Sequence, residues 1–439
     1  MKIAIIGTGY VGLVSGADFA SRGHEVICVD IHEARIEGLK KGVMPISEVG
    51  LPELVAAGVR AGRLEFSTDS LSAIAEAEIV FCCVGTPLGE DGRADCAMIY
   101  EVARTFGRAI TKPTVLVNKS TVPVGTAVKC EEIINNELKN RKIPDSRPDP
   151  FFSVVSNPEF LSQGTAVRDT ANPSRLIIGS DDAWAIGQME SVNASFIAAG
   201  VPKVIMSRAS AELAKCAANA FLATKISFIN EIANLCEKVG ANVDDIAASM
   251  GLDKRIGPAF LNAGIGYGGG CIPKDTAALI ATGQDVGYEF KILPAVQAVN
   301  EAQRQILYTK LVEFMPERAG KRIAVWGLAF KPGTDDVRSA PSLQIVEKLL
   351  ADGAEVIAYD PTAQKNAATL LPQLEFADSP VAAVKEADAL LICTEWPEFA
   401  KLGLAGIAEV MRGKLVLDGR GVYRNGKRPD DVKYWTVGC

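Results

Sequence analysis

The sequence predicts an α/β protein with two Rossmann-like domains, each a doubly wound parallel sheet, joined by a long central helix and a helical dimerisation region. Three observations carry this prediction. Short apolar strands alternate with amphipathic helices in the first and last parts of the 439 residues. A glycine motif follows the first strand. A helical stretch without Gly or Pro lies between the two alternating parts. We place the domain boundaries at residues 1–206, 207–312 and 313–439.

The composition narrows the class of protein. The chain is 48% hydrophobic and 23% charged, values typical of globular domains. A net charge of −7 argues against a nucleic-acid partner. No apolar run reaches the roughly 18 residues that a membrane span needs, and the first residues resemble a strand rather than a signal peptide. The ten cysteines include no C-x-x-C pair. We therefore expect a cytoplasmic protein with reduced thiols, no membrane partner and no metal.

The individual elements follow from hydrophobic periodicity. A single helix is predicted over residues 210–239, which would bridge two domains or build a dimer interface; the alternative is two helices with a kink. Further helices are predicted at 100–111 and 341–351, and a linker at 314–321. Strands are predicted at residues 2–6, 25–29, 79–84, 114–118, 152–156, 175–178, 322–326, 355–359, 387–393 and 414–417.

A glycine motif predicts a dinucleotide site. It runs from Gly7 through Gly9 to Gly12, follows a strand and opens a helix, and Asp30 ends the next strand. Such glycines allow a tight turn and close approach of a pyrophosphate, and the acid can accept from an adenosine ribose. Asp30 would repel a 2′-phosphate, which favours NAD, although Arg35 lies close enough to pair with the phosphates or ribose. The alternative is a strand–helix turn without a ligand.

Polar side chains follow three further strands. Thr86, Ser120 and Thr121 come at strand ends, where ligands bind in open α/β sheets. We expect them near the nicotinamide side of a cofactor, with ordinary loop capping as the alternative. Glu159, in Asn-Pro-Glu-Phe-Leu, is a candidate acid or base, unless it is an exposed surface carboxylate.

Two later segments carry the remaining chemistry. Lys215 and Asn219 are spaced i, i+4 on one face of the long helix and could supply an ammonium and an amide to an oxyanion; a snorkelling lysine is the alternative. A glycine-rich loop leads into Cys271, followed closely by Lys274 and Asp275, which suits a nucleophilic thiol better than a structural one. Because the two histidines lie within the first 32 residues, proton chemistry elsewhere needs Lys, Asp, Glu, Cys or water.

The later part of the chain offers cations but no second dinucleotide motif. Lys331 and Arg338 follow a predicted strand and suit phosphates or a sugar nucleotide; a solvated charged loop is the alternative. The first turn of this α/β region holds Gly327 but no G-x-G-x-x-G run. We therefore expect it to bind something other than a second dinucleotide.

Together these segments resemble the UDP-glucose/GDP-mannose dehydrogenase family over essentially the whole chain. The resemblance rests on GTGYVG, VGTP, STVP, NPEFL, AELAKCAANAFLATKISFINE, RIGPAFLNAGIGYGGGCIPKD and FKPGTDDVRSAP. It implies an NAD-binding domain, a central domain and a UDP-sugar-binding domain. It also implies oxidation of the C6 hydroxyl of UDP-glucose to the carboxylate of UDP-glucuronate with two NAD+ per turnover, in at least a homodimer.

The resemblance also implies roles for individual residues. Cys271 attacks the aldehyde to give a thiohemiacetal and then a thioester, Lys215 and Asn219 stabilise the oxyanion, and Asp275 orients or activates water. Glu159 contributes to acid–base work, including thioester hydrolysis. The cofactor contacts are Gly7, Gly9, Tyr10, Val11, Gly12, Asp30, Arg35, Thr86, Thr121 (which also counts as catalytic), Lys274 and Arg338. The sugar-nucleotide contacts are Glu159, Phe160, Leu161, Lys215, Asn219, Phe260, Leu261, Asn262, Gly264, Gly268, Lys331 and, from the neighbouring subunit, Arg255.

The sequence departs from the family pattern at several positions, which leaves alternatives open. Gln163 stands where many relatives carry a second acid, Gly270 replaces a usual serine and Ile272 a usual aromatic residue. Residues 45–51 lack the usual Tyr and Pro. A sibling enzyme acting on GDP-mannose or a UDP-N-acetylhexosamine is therefore the alternative. A non-catalytic nucleotide-binding protein is a third hypothesis, disfavoured by the joint presence of the thiol, lysine, amide and carboxylate.

Overall fold

The computed structural model describes residues 1–89, 91–141 and 151–439. They form two compact units, Met1–Ala218 with Ala277–Gly287, and Asn219–Thr276 with Tyr288–Cys439. The division into three domains at residues 1–206, 207–312 and 313–439 stays a prediction. Within the described ranges, none of the helices combines the length and the apolar character that a bilayer crossing requires.

The first unit is built on an eight-stranded sheet in the order β3-β2-β1-β4-β5-β6-β7-β8. Its strands are β1 (Lys2–Ile6), β2 (Glu25–Val29), β3 (Leu64–Ser67), β4 (Ile79–Cys82), β5 (Thr114–Asn118), β6 (Phe152–Ser156), β7 (Leu176–Gly179) and β8 (Lys203–Met206). The first six strands are parallel and follow the Rossmann order. β7 pairs antiparallel with β6, so the wholly parallel expectation is wrong at this edge.

Helices cover both faces of this sheet, and the central strands are therefore apolar throughout; all four residues of β4 are buried. The helices up to the long one are α1 (Tyr10–Ser21), α2 (Glu33–Lys40), α3 (Leu51–Arg60), α4 (Ser70–Glu76), α5 (Ala97–Ala109), α6 (Thr126–Asn140), α7 (Ala166–Ala171), α8 (Ala183–Val192) and α9 (Ala194–Ala198). The predicted single long helix is confirmed as α10 (Arg208–Val239), an unbroken α-helix of 32 residues.

The second unit contains a six-stranded parallel sheet in the order β11-β10-β9-β12-β13-β14. The strands are β9 (Arg322–Trp326), β10 (Glu355–Tyr359), β11 (Glu375–Phe376), β12 (Ala389–Ile392), β13 (Leu415–Asp418) and β14 (Lys433–Thr436). The remaining helices of the chain are α11 (Val243–Leu252), α12 (Ile272–Asp285), α13 (Ile292–Gln303), α14 (Ile306–Phe314), α15 (Pro341–Ala351), α16 (Gln364–Leu370), α17 (Pro380–Val384), α18 (Pro397–Lys401) and α19 (Leu404–Val410). This strand order repeats that of the first unit and confirms the prediction of two Rossmann-like sheets.

Candidate active site

The glycine motif of the first unit lies where the strand order reverses, between β1 and β4. Gly7 has a φ of +102°, and a Cβ there would lie 2.8 Å from the Cys83 carbonyl oxygen. A Cβ on Gly12 would overlap the Gly7 carbonyl, which explains how α1 packs so close to the turn. A Cβ on Gly9 would meet nothing within 4 Å. The second glycine thus leaves open space at the N-terminus of α1, as a bound pyrophosphate requires.

Asp30 directly follows β2 and is buried among hydrogen-bond donors. Its Oδ2 accepts from the Thr8 backbone N–H at 3.0 Å, the Thr8 hydroxyl at 2.7 Å and Arg35 at 2.8 Å, and its Oδ1 accepts from the His32 N–H at 3.1 Å. Burial raises the pKa of Asp30, but the donors outweigh burial and hold this pKa below its usual value. Oδ1 keeps acceptor capacity for a ribose hydroxyl. Arg35 pairs with Asp30, so its charge is already balanced.

A cavity of about 370 Å³ lies beside these groups. The motif and Asp30 supply its polar side. Its apolar side is suited to an adenine ring and includes Ile74, Val84, Met98 and Val102. Open space at the second glycine, an ionised acceptor and an apolar slot together fit NAD.

The loops after β4 and β5 are joined by hydrogen bonds. The Thr86 hydroxyl donates to the Thr121 carbonyl at 2.8 Å, and the Ser120 hydroxyl donates to the Val84 carbonyl at 2.7 Å. The structure therefore brings together the two predicted threonine loops on neighbouring strands. Their contact with a cofactor stays a prediction.

Glu159 and Lys215 form a buried ion pair in the first unit. Lys215 Nζ lies 3.2 Å from Glu159 Oε1, and the two side chains are 5% and 9% exposed. The second carboxylate oxygen accepts from the Leu161 backbone N–H at 2.7 Å. The Phe160 ring lies under the ammonium at 5.3 Å and under the Arg175 guanidinium at 3.7 Å. Glu159 is therefore not an exposed surface carboxylate, and Lys215 does not snorkel to solvent.

Three polar residues beside this pair were not singled out from the sequence. Lys119 donates to the Asn157 side-chain oxygen at 3.1 Å, and the amide of Asn157 donates to the Ile177 carbonyl at 2.7 Å. Glu212 of α10 is buried and accepts from backbone and side-chain donors of other segments. Glu212 lies in the same run as Lys215, and a carboxylate on an apolar helix face is the signal that could have indicated it. Gln163 places its Oε1 in the interior without a hydrogen-bond partner among the described residues.

In the second unit, Cys271 directly precedes α12 and is exposed. Asp275, in the first turn of α12, is 1% exposed. Its Oδ2 accepts from the Asn219 amide at 2.6 Å, and its Oδ1 lies 2.7 Å from Lys274 Nζ. The thiol therefore lies at a helix N-terminus, one turn from a carboxylate that is held between an amide and an ammonium.

The glycine loop before Cys271 packs against residues 330–339. A Cβ on Gly268 would overlap the Ser339 carbonyl, and a Cβ on Gly269 would lie 2.9 Å from the Phe330 ring. Gly270 is covered by the Arg338 guanidinium, so a serine there would have to displace Arg338. Because the Arg338 side chain is 62% exposed, a serine at this departure from the family pattern would displace only the flexible end of that side chain. Arg338 itself is held by Asp336, with Nε–Oδ1 at 2.9 Å.

Buried amides hold the same loop from the other side, and the sequence analysis missed them. Asn300 accepts from the Tyr267 N–H at 2.9 Å and donates to the Tyr267 carbonyl at 3.2 Å. Gly264 is bonded through its N–H to Asn230 at 2.9 Å and through its carbonyl to Gln303 at 2.7 Å. Amides on the apolar faces of α10 and α13 were the available signal.

The other predicted substrate residues occupy varied surroundings. Phe260 has a φ of +64° and is 41% exposed, whereas Leu261 is buried in the core of the second unit. Asn262 is exposed, and Lys331 is partly buried with Nζ 5.7 Å from the Phe330 ring. The Arg255 side chain is 88% exposed and pairs with Asp253.

In the second sheet, the aspartate at the position that corresponds to Asp30 is already fully hydrogen-bonded within the protein. Asp360 directly follows β10 and is 1% exposed. It accepts from the Trp396 indole at 3.1 Å and from the backbone N–H groups of Leu328, Ala329, Thr362 and Ala363. A carboxylate with these five donors has little capacity left for a ribose. This agrees with the expectation that the second sheet does not bind a dinucleotide.

A cavity that fits NAD in the first unit, and a thiol one turn from the hydrogen-bonded Asp275 carboxylate in the second, are features of a nucleotide-dependent oxidoreductase. Family models for the UDP-glucose/GDP-mannose dehydrogenase family match residues 1–197 (NAD binding domain), 209–302 (central domain) and 324–425 (UDP binding domain). The chain belongs to the UDP-glucose/GDP-mannose dehydrogenase family, and its cofactor is NAD.

Individual relatives are similar along nearly the whole chain. The UDP-glucose 6-dehydrogenase TuaD of Bacillus subtilis is 47% identical, over 96% of this chain and 89% of its own length. A UDP-glucose 6-dehydrogenase of Pseudomonas aeruginosa is 45% identical, over 96% and 94%. The solved structure of a UDP-glucose dehydrogenase from Pyrobaculum islandicum is 36% identical, covers 99% of this chain and 97% of its own, and has a TM-score of 0.90.

Proposed function

We propose that this protein is a UDP-glucose 6-dehydrogenase that oxidises UDP-glucose to UDP-glucuronate with two NAD+. The observation that carries the substrate assignment is the identity of 45% and 47% to relatives of that name over 96% of the chain. By comparison, a UDP-N-acetylmannosamine dehydrogenase structure from Pyrococcus horikoshii is 27% identical. The UDP-binding family model over residues 324–425 supports a uridine nucleotide.

In the proposed mechanism, the C6 hydroxyl is first oxidised to an aldehyde with loss of a hydride and a proton. The Cys271 thiol adds to the aldehyde carbon, and the resulting oxyanion takes a proton, which gives a thiohemiacetal. Loss of a second hydride and a second proton gives a thioester, and water cleaves the C–S bond to release the acid and restore the thiol. NAD+ would supply the hydride acceptor for both oxidations.

The side chains divide the remaining work. Lys215 carries a buried positive charge and Asn219 an amide, and we assign both to the oxyanion. Asp275, held by Asn219, orients the water that attacks the thioester. Glu159 lies beside the Lys215 ammonium and is assigned acid–base work. Gln163 cannot share that proton work, since an amide does not accept a proton at neutral pH.

Oxidation can be followed directly through NADH formation at 340 nm, counted per sugar consumed. We expect about two NADH per UDP-glucose, as the two-hydride scheme requires. Cys271→Ala should abolish acid formation while NADH binding persists. Cys439→Ala is the matched control, since these two are the exposed cysteines. Turnover with GDP-mannose or a UDP-N-acetylhexosamine but not with UDP-glucose would assign that other sugar nucleotide as the substrate. Binding without turnover of any sugar nucleotide would support a non-catalytic protein.

A homodimer is part of the same proposal. Phe221, Phe228 and Leu235 recur every seven residues on α10 and are 64%, 47% and 51% exposed. An apolar stripe of this kind is costly in water unless a partner covers it. A second copy also gives the exposed Arg255 a target, the sugar nucleotide of the neighbouring subunit. A reactive thiol at Cys271 further favours the reducing cytoplasm.

A further inference from the structure

The buried carboxylate of Glu212 joins three segments of the first unit. Its Oε2 accepts from the Gly125 N–H at 2.8 Å, and its Oε1 accepts from the Ala127 N–H at 2.8 Å and the Ser156 hydroxyl at 3.2 Å. The side chain is 3% exposed. The two backbone donors belong to the start of α6, where N–H groups lack partners within the helix and favour a negative charge.

Each of the three segments carries a proposed active-site residue. The Gly125–Ala127 turn follows Thr121 in the loop after β5. Ser156 ends β6 and immediately precedes the loop that carries Glu159. Glu212 itself lies one turn before Lys215 on α10. One carboxylate therefore connects the threonine loop, the glutamate loop and the lysine helix.

Tight packing reinforces this connection. A Cβ on Gly179 would lie 2.5 Å from the Ala211 Cβ and 2.9 Å from the Ser156 carbonyl oxygen. The first turns of α10 are therefore pressed against the ends of β6 and β7, directly beside Glu212. With so little free space, a changed bond at Glu212 moves α10 relative to the two loops rather than being absorbed locally.

We propose that Glu212 is a positioning residue that sets the placement of Lys215 relative to Glu159 and Thr121. The inference rests on the proposed function. An acceptor-only group is needed there, because all three partners donate. Glutamine at this position would turn an N–H toward one of the donors and break at least one bond. Small displacements of catalytic groups are expensive in rate, about 100-fold for 1 Å.

The first test compares Glu212→Gln with Asp182→Ala. Asp182 caps α8 in the same unit by accepting from the Trp184 N–H at 2.9 Å, so its loss costs stability away from the three segments. We expect Glu212→Gln to lower kcat by about 10- to 100-fold with little change in the KM for NAD+, and Asp182→Ala to leave kcat near wild type at a similar loss of Tm. Equal kcat in the two variants would overturn the proposal.

Hydrogen exchange by mass spectrometry tests the same connection without activity. In Glu212→Gln, exchange should rise at residues 125–127, 156–161 and 208–215 and stay unchanged at 183–192; a uniform rise would overturn the proposal. If wild type oxidises no sugar nucleotide, the proposed function fails while this readout still decides the positioning role. If Glu212→Gln does not fold, Ser156→Ala removes one donor and should act in the same direction more weakly. Unchanged kcat and exchange in Ser156→Ala would then count against the connection.

Discussion

Asp30 shows how one ionised side chain can select a cofactor. Its carboxylate is fixed by Thr8, His32 and Arg35, and one oxygen keeps capacity for a ribose hydroxyl. Hydrogen bonds to a charged acceptor contribute about 1.5–3 kcal/mol. Asp30→Asn should therefore weaken NADH binding by about 10- to 100-fold and narrow the preference for NADH over NADPH, because the charge that repels a 2′-phosphate is gone.

Fluorescence titration of both reduced cofactors measures this directly. Glu33→Gln, an exposed residue in the first turn of α2, serves as the control for a lost carboxylate nearby. An unchanged NADH-to-NADPH preference in Asp30→Asn would contradict the assignment of this residue to the ribose.

Lys119 brings a charge into the interior behind the glutamate loop. Burial lowers the pKa of Lys119, opposed by neighbouring acidic groups including Glu159. The unfolded chain thus binds a proton more tightly at this lysine than the folded protein does. Relative to Lys119→Met, wild-type stability should therefore rise with pH between the lowered folded-state pKa and the unfolded value of about 10.4. Below that window the lysine is protonated in both the folded and the unfolded state, so burial of its charge lowers stability in full. Above the window it is neutral in both states, and that penalty is absent.

Urea unfolding of both proteins across pH 7 to about 10 provides the comparison. Lys40→Met removes an exposed lysine from α2 and controls for the loss of one positive charge. If Lys119→Met and Lys40→Met differ from wild type by the same amount at every pH, burial of the ammonium has no energetic effect.

At the scale of elements, the sequence was most informative where the hydrophobic periodicity agreed with the positions of Gly and Pro. The absence of Gly and Pro predicted α10, and six predicted strands, among them β1 and β5, have the predicted bounds. The short β11 at an edge and the half-exposed β3 gave weak signals and were missed. The antiparallel β7 was also hidden, because strand direction depends on which neighbour a strand finds rather than on its own residues.

The site shows the same division. Cys271, Asp275 and Lys215 lie in segments with unusual composition, so the sequence indicated them. Glu212 and Asn300 act through backbone groups that are distant in sequence. No local pattern reports such a partner, and only the folded chain brings donor and acceptor together.

Gly179 tests how strictly α10 is seated on the sheet. An added methyl would lie 2.5 Å from the Ala211 Cβ, so Gly179→Ala should lower the free energy of unfolding by about 1–3 kcal/mol through overpacking. The shift of α10 should also reduce kcat. Gly187→Ala is the matched control, since a Cβ there meets nothing within 4 Å on α8, and alanine should stabilise that helix by up to about 1 kcal/mol. Equal unfolding free energies for the two variants would show that the contact between Gly179 and Ala211 of α10 can accommodate a methyl group without loss of stability.

At the scale of the whole molecule, the two sheets share one strand order but differ in the hydrogen bonding of the aspartate that follows the second strand. Both sheets place a glycine turn after the first strand and an aspartate after the second. Asp30 keeps an acceptor site open, whereas Asp360 is satisfied by its own loop and the Trp396 indole. Asp360 therefore has little acceptor capacity left for a ribose, and the family model that matches residues 324–425 around it is a UDP binding domain.

The exposed stripe on α10 predicts assembly. Phe228 lies in the middle of the stripe, between Phe221 and Leu235. A charge there would be desolvated against a second copy, which is strongly unfavourable unless it is paired. Phe228→Glu should therefore convert dimers to monomers in size-exclusion chromatography with light scattering. Turnover should fall as well, because Arg255 would lose the neighbouring subunit. Leu370→Glu, at an exposed leucine of α16, should leave mass and turnover unchanged; a Phe228→Glu protein that remains dimeric would show that α10 does not form the interface.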